Sequence, residues 1–257
     1  MRYLAVIQAR MSSSRLPGKV LLPVCGKPLL ALMVERVRRA TRIDHFIIAT
    51  STSADDDAIK KTCDVLGVPC FRGSLDDVLD RYYQAALAFQ PENVIRMTAD
   101  CPVIDPEIVD RTIDFFQEGG FDYVGNALKP TFPDGLNCEV MTFRSLQRAW
   151  QEADRKTQRE HVTLYIYQHP EQFKLGSFEQ AQDLSHLRWT VDHPCDLELI
   201  RTIYEELYSG KPEFGMNDIL TLLKQKPELI DLNAGIIRNE ALKKSLVQEK
   251  SVKSISE

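Results

Sequence analysis

Tyr3-Leu4-Ala5-Val6-Ile7 is an unbroken apolar run, and Gln8-Ala9-Arg10-Met11-Ser12-Ser13-Ser14-Arg15-Leu16-Pro17-Gly18-Lys19 follows it directly. An apolar run of this length reads as a strand buried on both faces, as in a parallel sheet. A loop leaving the carboxyl end of such a strand stands where open α/β sheets bind ligands. Arg10, Arg15 and Lys19 can converge there on one anion, with three serine hydroxyls between them. Pro17 fixes the turn that presents the lysine, and Gly18 lets the backbone approach a ligand closely. The stretch reads as a polyphosphate cradle. It is not a P-loop, because Val20 rather than Ser or Thr follows Lys19 and the bracketing glycines are missing. Nor does a G-x-G-x-x-G follow Ile7, so the dinucleotide fingerprint is absent.

The 257 residues are 44% hydrophobic and 27% charged, which suits a soluble globular protein with a full α/β core. One main domain is expected over residues 1–232, with 233–257 as a marginally ordered tail, because the chain past Leu232 carries few large apolar residues. A net charge of -5 disfavours general nucleic-acid binding and favours small anionic substrates. The opening apolar run is too short for a signal peptide or a bilayer span, so a cytoplasmic protein without membrane association is expected. The six cysteines never fall at C-x-x-C spacing, and neither a disulfide framework nor a zinc site is indicated. Cys101 and Cys195 adjoin acidic motifs and read as packing residues rather than nucleophiles.

Strand and helix signals alternate outward from the first strand. Strands are expected at Tyr3–Ile7, His45–Thr50, Val68–Phe71 and Asn93–Met97; helices at Pro28–Ala40, Asp55–Leu66 and Asp76–Phe89. This alternation predicts α/β architecture: a mostly parallel mixed sheet with helices on both faces. Further on, a helix is expected from Asp105-Pro106 to Glu118, and strands at Asp122–Asn126 and Cys138–Phe143 flank a Pro/Gly-rich loop. Helical stretches follow at Ser145–Glu152 and Glu160–His169, then strands at Phe173–Phe178 and Leu187–Val191. The last regular helix is expected to begin near Cys195.

Two acidic corners repeat one pattern. Val94-Ile95-Arg96-Met97-Thr98-Ala99-Asp100-Cys101-Pro102 is an apolar strand running into an aspartate, and Leu187-Arg188-Trp189-Thr190-Val191-Asp192-His193-Pro194 repeats it. If the two strands are neighbours, Asp100 and Asp192 share a hard cation. Magnesium is usually held by one or two carboxylates plus substrate phosphates, so two aspartates suffice. Strand-end turn formation or helix N-capping explains either aspartate without a metal.

The basic loop, Thr98-Ala99-Asp100-Cys101-Pro102 and Thr190-Val191-Asp192-His193-Pro194, in this order, resemble the CMP-sugar synthetase family. These are the cytidylyltransferases that activate acidic sugars such as 3-deoxy-manno-octulosonate and acylneuraminate. Phe71-Arg72-Gly73-Ser74-Leu75-Asp76-Asp77-Val78-Leu79 and Arg159-Glu160-His161-Val162-Thr163 look most like its spore coat polysaccharide branch. The similarity spans roughly residues 3–208. It implies a Rossmann-like nucleotidyltransferase fold, CTP and Mg2+, a homodimer, and attack of a sugar hydroxyl on the α-phosphorus with pyrophosphate release.

Carried over by position, the resemblance makes Arg10 and Lys19, with Ala9 and Arg15 beside them, the triphosphate binders. Asp100 serves in catalysis and, with Asp192, holds the metal. Arg72, Gly73 and Ser74 approach the nucleoside, and Glu139, Arg159 and His161 stand on the acceptor side. Octulosonate enzymes typically read Gly-Asp-Glu-Pro where this chain has Ala99-Asp100-Cys101-Pro102, which leaves that sugar in doubt. His161 and His193 are the histidines available as a general base, though packing explains each as well. Three other readings stay open: another nucleotide-sugar pyrophosphorylase, a nucleotide-sugar-dependent glycosyltransferase, and a non-catalytic nucleotide-binding regulator.

Overall fold

The computed structural model describes residues 1–256, with side chains through Glu249. β1 (Tyr3–Gln8) leads through the basic loop to a small ribbon, β2 (Pro23–Val24) and β3 (Lys27–Pro28), and then α1 (Leu29–Val37). β4 (His45–Ser51), α2 (Asp57–Leu66), β5 (Cys70–Gly73) and α3 (Val78–Leu87) follow, then β6 (Asn93–Thr98) and α4 (Pro106–Gly119). β7 (Tyr123–Gly125), β8 (Glu139–Thr142), α5 (Phe143–Glu152), α6 (Lys156–Glu160), α7 (Leu164–Gln168) and β9 (Leu175–Ser177) extend the sheet. The chain closes with α8 (Pro194–Leu207), α9 (Met216–Gln225), α10 (Glu228–Asp231) and α11 (Glu240–Ser256).

Seven strands form one sheet in the order β5-β4-β1-β6-β8-β7-β9. β5, β4, β1 and β6 are mutually parallel, β8 runs antiparallel to both its neighbours, and β9 is parallel to β7. Side-chain alternation on β1 sorts the two faces, as the period-2 pleat requires. Tyr3, Ala5 and Ile7 pack with α1, α2, α4, α8 and α9, while Leu4 and Val6 pack with α3, α5 and α7. Both faces are covered, so β1 has no polar position until Gln8.

The order places the site. From β1 the chain builds outward through β4 and β5, then returns to the other side of β1 as β6. Ligands bind at such a reversal in open α/β sheets. Gln8 pairs with Thr98 in register, and Ala99 N–H donates to Gln8 O at 2.9 Å. The loops after β1 and β6 therefore emerge side by side.

Three expectations are corrected. Leu187–Val191 is not a ladder strand: it makes only an isolated bridge between Arg188 and Asp134, because its polar side chains turn into an aspartate cluster rather than alternating across a sheet. The expected helix over Glu160–His169 is two helices broken at His161–Thr163, where Val162 adopts φ 50°, a costly conformation for a β-branched residue. The helix starting at Pro194 is not the last regular one, since α9 and α10 follow it, before the 17-residue α11 in the stretch where a marginal helix is expected. No helix among the described residues is long and apolar enough to cross a membrane.

Candidate active site

The β1 loop is shaped from beneath by a buried aspartate. Asp56 accepts from Met11 N–H at 2.7 Å and from the Ser51 N–H and hydroxyl at 3.0 and 2.5 Å, tying the loop to the end of β4. Gly18 takes φ 69°, and its N–H donates to Met11 O at 2.9 Å, closing the turn before Lys19. The glycine is needed for that left-handed backbone, and a β-carbon there would also press on Met11 at 3.2 Å.

Lys19 is buried and aims its ammonium between two carboxylates, 2.7 Å from Asp100 Oδ2 and 2.7 Å from Asp192 Oδ1. Arg15 Nη2 reaches the same Asp192 oxygen at 2.5 Å. Asp100 is further held by the Thr98 hydroxyl at 2.5 Å. The two acidic segments meet loop to loop: Val191 N–H and the Thr190 hydroxyl donate to Asp100 O at 2.8 and 3.1 Å. Burial opposes ionisation of Asp192, but Lys19, Arg15 and Arg188 outweigh it and bring its pKa to about 2. Asp100 is likewise held below the carboxylate range, burial being overcome by Lys19. Lys19 is in turn raised, since the pair of carboxylates outweighs its burial.

Beneath this cluster lies Arg188, buried and shared among Asp134 at 3.1 Å, Asp192 at 2.8 Å and Asp196 at 2.9 Å. Asp196 also accepts from the Asp192 and His193 N–H groups at 2.9 Å each, which sets the direction in which the chain enters α8. Gly135, at φ 113°, lets its loop touch the Trp189 backbone, where a β-carbon would come within 2.5 Å.

Arg15, Lys19, Thr98, Asp100, Asp134, Arg188, Thr190 and Asp192 line one cavity of about 590 Å³, which also takes in Arg96, Tyr123, Glu139, His161, Thr163 and Tyr167. Here Glu139 accepts from Arg96 Nη1, from the Tyr123 hydroxyl at 2.5 Å and from the Thr163 hydroxyl at 2.6 Å. Burial disfavours the Glu139 carboxylate, yet Arg96 and the two hydroxyls hold it ionised, below its usual range. His161 Nε2 has no hydrogen-bond partner, the Glu160 carboxylate lying 3.9 Å away. Burial pushes its imidazole below the usual range, opposed by the nearby Glu160 carboxylate and reinforced by the charges of Arg96 and Arg10. Burial raises the Cys101 thiol well above its usual range, and a neutral thiol packed on the cavity wall is a poor nucleophile.

Of the residues singled out in sequence, Ala9, Arg10, Arg15, Lys19, Asp100, Asp192, Glu139 and His161 all line this cavity. Arg10 has no carboxylate partner among the described residues and keeps its charge available. Arg72, Gly73, Ser74 and Arg159 do not line it. Arg72 is spent on Ser51 O, Ser53 O and Asp57, while Ser74 Oγ accepts from Asp77 N–H at 3.0 Å. Arg159 grips both oxygens of Asp77 and Trp150 O, locking α6 to the start of α3. His193 also lies outside the lining, with Nε2 3.3 Å from Glu240. Sequence reasoning passed over Arg96 and Arg188, although a lone cation inside each apolar run was the available signal. It also passed over Asn239, Glu240, Ala241, Leu242 and Lys244, which line the cavity from the far end of the chain.

A cationic loop at the reversal point of an α/β sheet, opposite paired carboxylates, defines a nucleotide-dependent transferase. Residues 4–225 match the cytidylyltransferase family, and the chain belongs to it: it is a CTP-dependent nucleotidyltransferase. It is 34% identical over 233 residues to the spore coat polysaccharide biosynthesis protein SpsF of Bacillus subtilis, covering 88% of this chain and 95% of SpsF. A solved cytidylyltransferase from Leptospira borgpetersenii superposes with a TM-score of 0.86 at 30% identity, over 93% of this chain and all of that one. CMP:2-keto-3-deoxy-manno-octonic acid synthetase, solved with CTP, shares the fold at a TM-score of 0.62 and 18% identity, over 80% of this chain and 100% of that one.

Proposed function

We propose that this enzyme transfers CMP from CTP to an acidic sugar, with Mg2+, for surface or spore-coat polysaccharide synthesis. The observation that carries the reading is one cavity lined both by Arg10, Arg15 and Lys19 and by Arg96, His161 and the Glu139 network; we assign the first group to the phosphates and the second to the acceptor. The two relatives concerned with polysaccharide synthesis and sugar-acid activation support the acceptor class.

The donor set fits a hard divalent cation. Asp100 and Asp192 are ionised, and a lysine ammonium already occupies the point their oxygens share. Among the described residues no cluster of three or more metal-ligating side chains occurs, so a cation held by Asp100 and Asp192 would need phosphate and water as further ligands. Bound there, Mg2+ supplies Lewis-acid charge to the α-phosphate.

The chain's own residues align and neutralise. A nucleoside triphosphate carries about four negative charges at neutral pH, and Arg10 and Lys19 offset their repulsion against an anionic acceptor. The acceptor hydroxyl bonds to the α-phosphorus, the α–β bridging bond breaks, pyrophosphate leaves and the hydroxyl proton is released. His161 and Arg96, whose Nε also lacks a partner, orient the sugar acid. Six free cysteines accord with a reducing, cytoplasmic setting, and the homodimer implied by the resemblance belongs to the same reading.

The test follows pyrophosphate from each of four nucleoside triphosphates with Mg2+ and a panel of keto-sugar acids and sugar phosphates. Release with CTP and a sugar acid alone is expected. Release only with a sugar phosphate, or none with any acceptor, overturns the acceptor assignment. Sedimentation of the intact chain tests the dimer.

A further inference from the structure

The family match ends at residue 225, yet the chain beyond it returns to the cavity. It does so on a series of side-chain ties. Buried Asn233 donates to Arg188 O at 3.0 Å and to Asp196 at 2.8 Å, fastening the segment to the aspartate cluster. Arg238 then donates to Phe132 O at 3.1 Å and to Asn137 Oδ1 at 2.8 Å, on the loop that walls the site. Asn239 turns the chain with φ 59°, a conformation asparagine tolerates, and α11 begins.

The first turns of α11 span from Arg15 to α6 along the cavity. Glu240 accepts from Arg15 Nη1 at 2.9 Å and lies 3.3 Å from His193 Nε2, on the phosphate side. About one and a half turns later Ser245 donates to Glu160 at 3.1 Å, and about one turn further on Glu249 accepts from the Thr157 hydroxyl at 2.9 Å, on the side of His161. Between these anchors Ala241, Leu242 and Lys244 line the cavity. A helix tied at both ends across an opening restricts what enters and holds it in place.

We infer that residues 239–249 are a substrate-enclosing strap: Leu242 and Lys244 form a wall against the acceptor, and Glu240, Ser245 and Glu249 position that wall. The inference rests on the acceptor half assigned above. Glu240 has a second consequence, because it shares Arg15 with Asp192 and so restrains the loop that receives the triphosphate. Arg10 is left as the loop cation without a carboxylate partner among the described residues, while Lys19 is held by Asp100 and Asp192.

Two variants test this in the intact enzyme. Leu242→Ala removes the wall; Glu249→Ala releases its distal anchor and lies outside the cavity lining. Each is expected to raise the acceptor KM about fivefold or more while the CTP KM stays within about twofold, the signature of lost acceptor binding alone. Whichever acceptor releases pyrophosphate is used, so failure of the sugar-acid assignment leaves this measurement intact. Amide exchange over residues 241–249 reads the seating of the strap without any acceptor. It is expected to be slower than in a free peptide of the same sequence in the wild type, and faster in Glu249→Ala than in the wild type. Free-peptide exchange in the wild type, or an unchanged acceptor KM in both variants, overturns the inference.

Discussion

The Lys19 ammonium donates to Asp100 across 2.7 Å although 81 residues separate them, and it serves Asp192 at the same distance. One buried cation thus holds together the two acidic corners. A triphosphate bound here brings charge that competes for the same partners, so Lys19 stands where carboxylates and nucleotide meet.

Lys19→Met is expected to lower kcat by about 100-fold or more, the scale seen when one preorganised donor to a developing charge is removed. Asp100→Asn is expected to do the same with little change in thermal stability, because Thr98 still holds the side chain. Pyrophosphate release beside a thermal melt checks both. Wild-type turnover in the pair would remove the assigned roles.

Asp192→Asn should cost stability as well as activity, since Asp192 meets Lys19, Arg15 and Arg188. The loss is expected to be on the order of 2 kcal/mol, below that of a fully isolated buried pair because Arg188 keeps two other aspartates. Urea denaturation at pH 7 measures it.

The same substitution has a signed pH dependence. The folded pKa of Asp192, about 2, lies below the unfolded value of about 3.9. Its contribution is therefore complete above about pH 5 and fades as pH falls toward 2. The gap between wild type and Asp192→Asn should narrow across that window. A gap that widens on acidification would contradict the ion-pair geometry.

Arg159→Lys separates a structural from an acceptor role. The bidentate grip on Asp77 is lost, at a cost of about 1 kcal/mol for a partly exposed pair, or a Tm lower by about 3 °C. The acceptor KM should change by less than about threefold. A tenfold rise would return Arg159 to the acceptor side.

Glu139→Gln strikes the acceptor wall. Arg96 loses its carboxylate, and a buried charge without its partner is expected to cost about 3 kcal/mol. Thermal melting registers that loss, and a raised acceptor KM with unchanged CTP binding would place the network on the acceptor side.

Much of this was legible in one dimension because it is local. The apolar run before Gln8, the Pro-Gly turn before Lys19 and the aspartate after β6 each declare themselves within a few residues. Arg72 and Arg159 show the limit. Each sits in a motif rich in chemistry, but each is satisfied by nearby backbone or by Asp77, and nothing in a linear pattern says whether a guanidinium already has its partners. Leu187–Val191 misled for a related reason: its apolar residues suit a strand, while the buried Arg188 takes the backbone into an aspartate cluster instead.

By itself the sequence determined the alternating α/β architecture, the cationic loop on the first strand and the two acidic corners, since propensity, periodicity and turn chemistry act over short spans. Only the tertiary structure decided that Lys19 stands between Asp100 and Asp192, that Glu139 is held by Arg96, Tyr123 and Thr163, and that the chain past residue 232 returns to line the cavity. Those are pairings between distant segments. Their geometry follows from strand order and packing, which bring together groups that no local pattern connects.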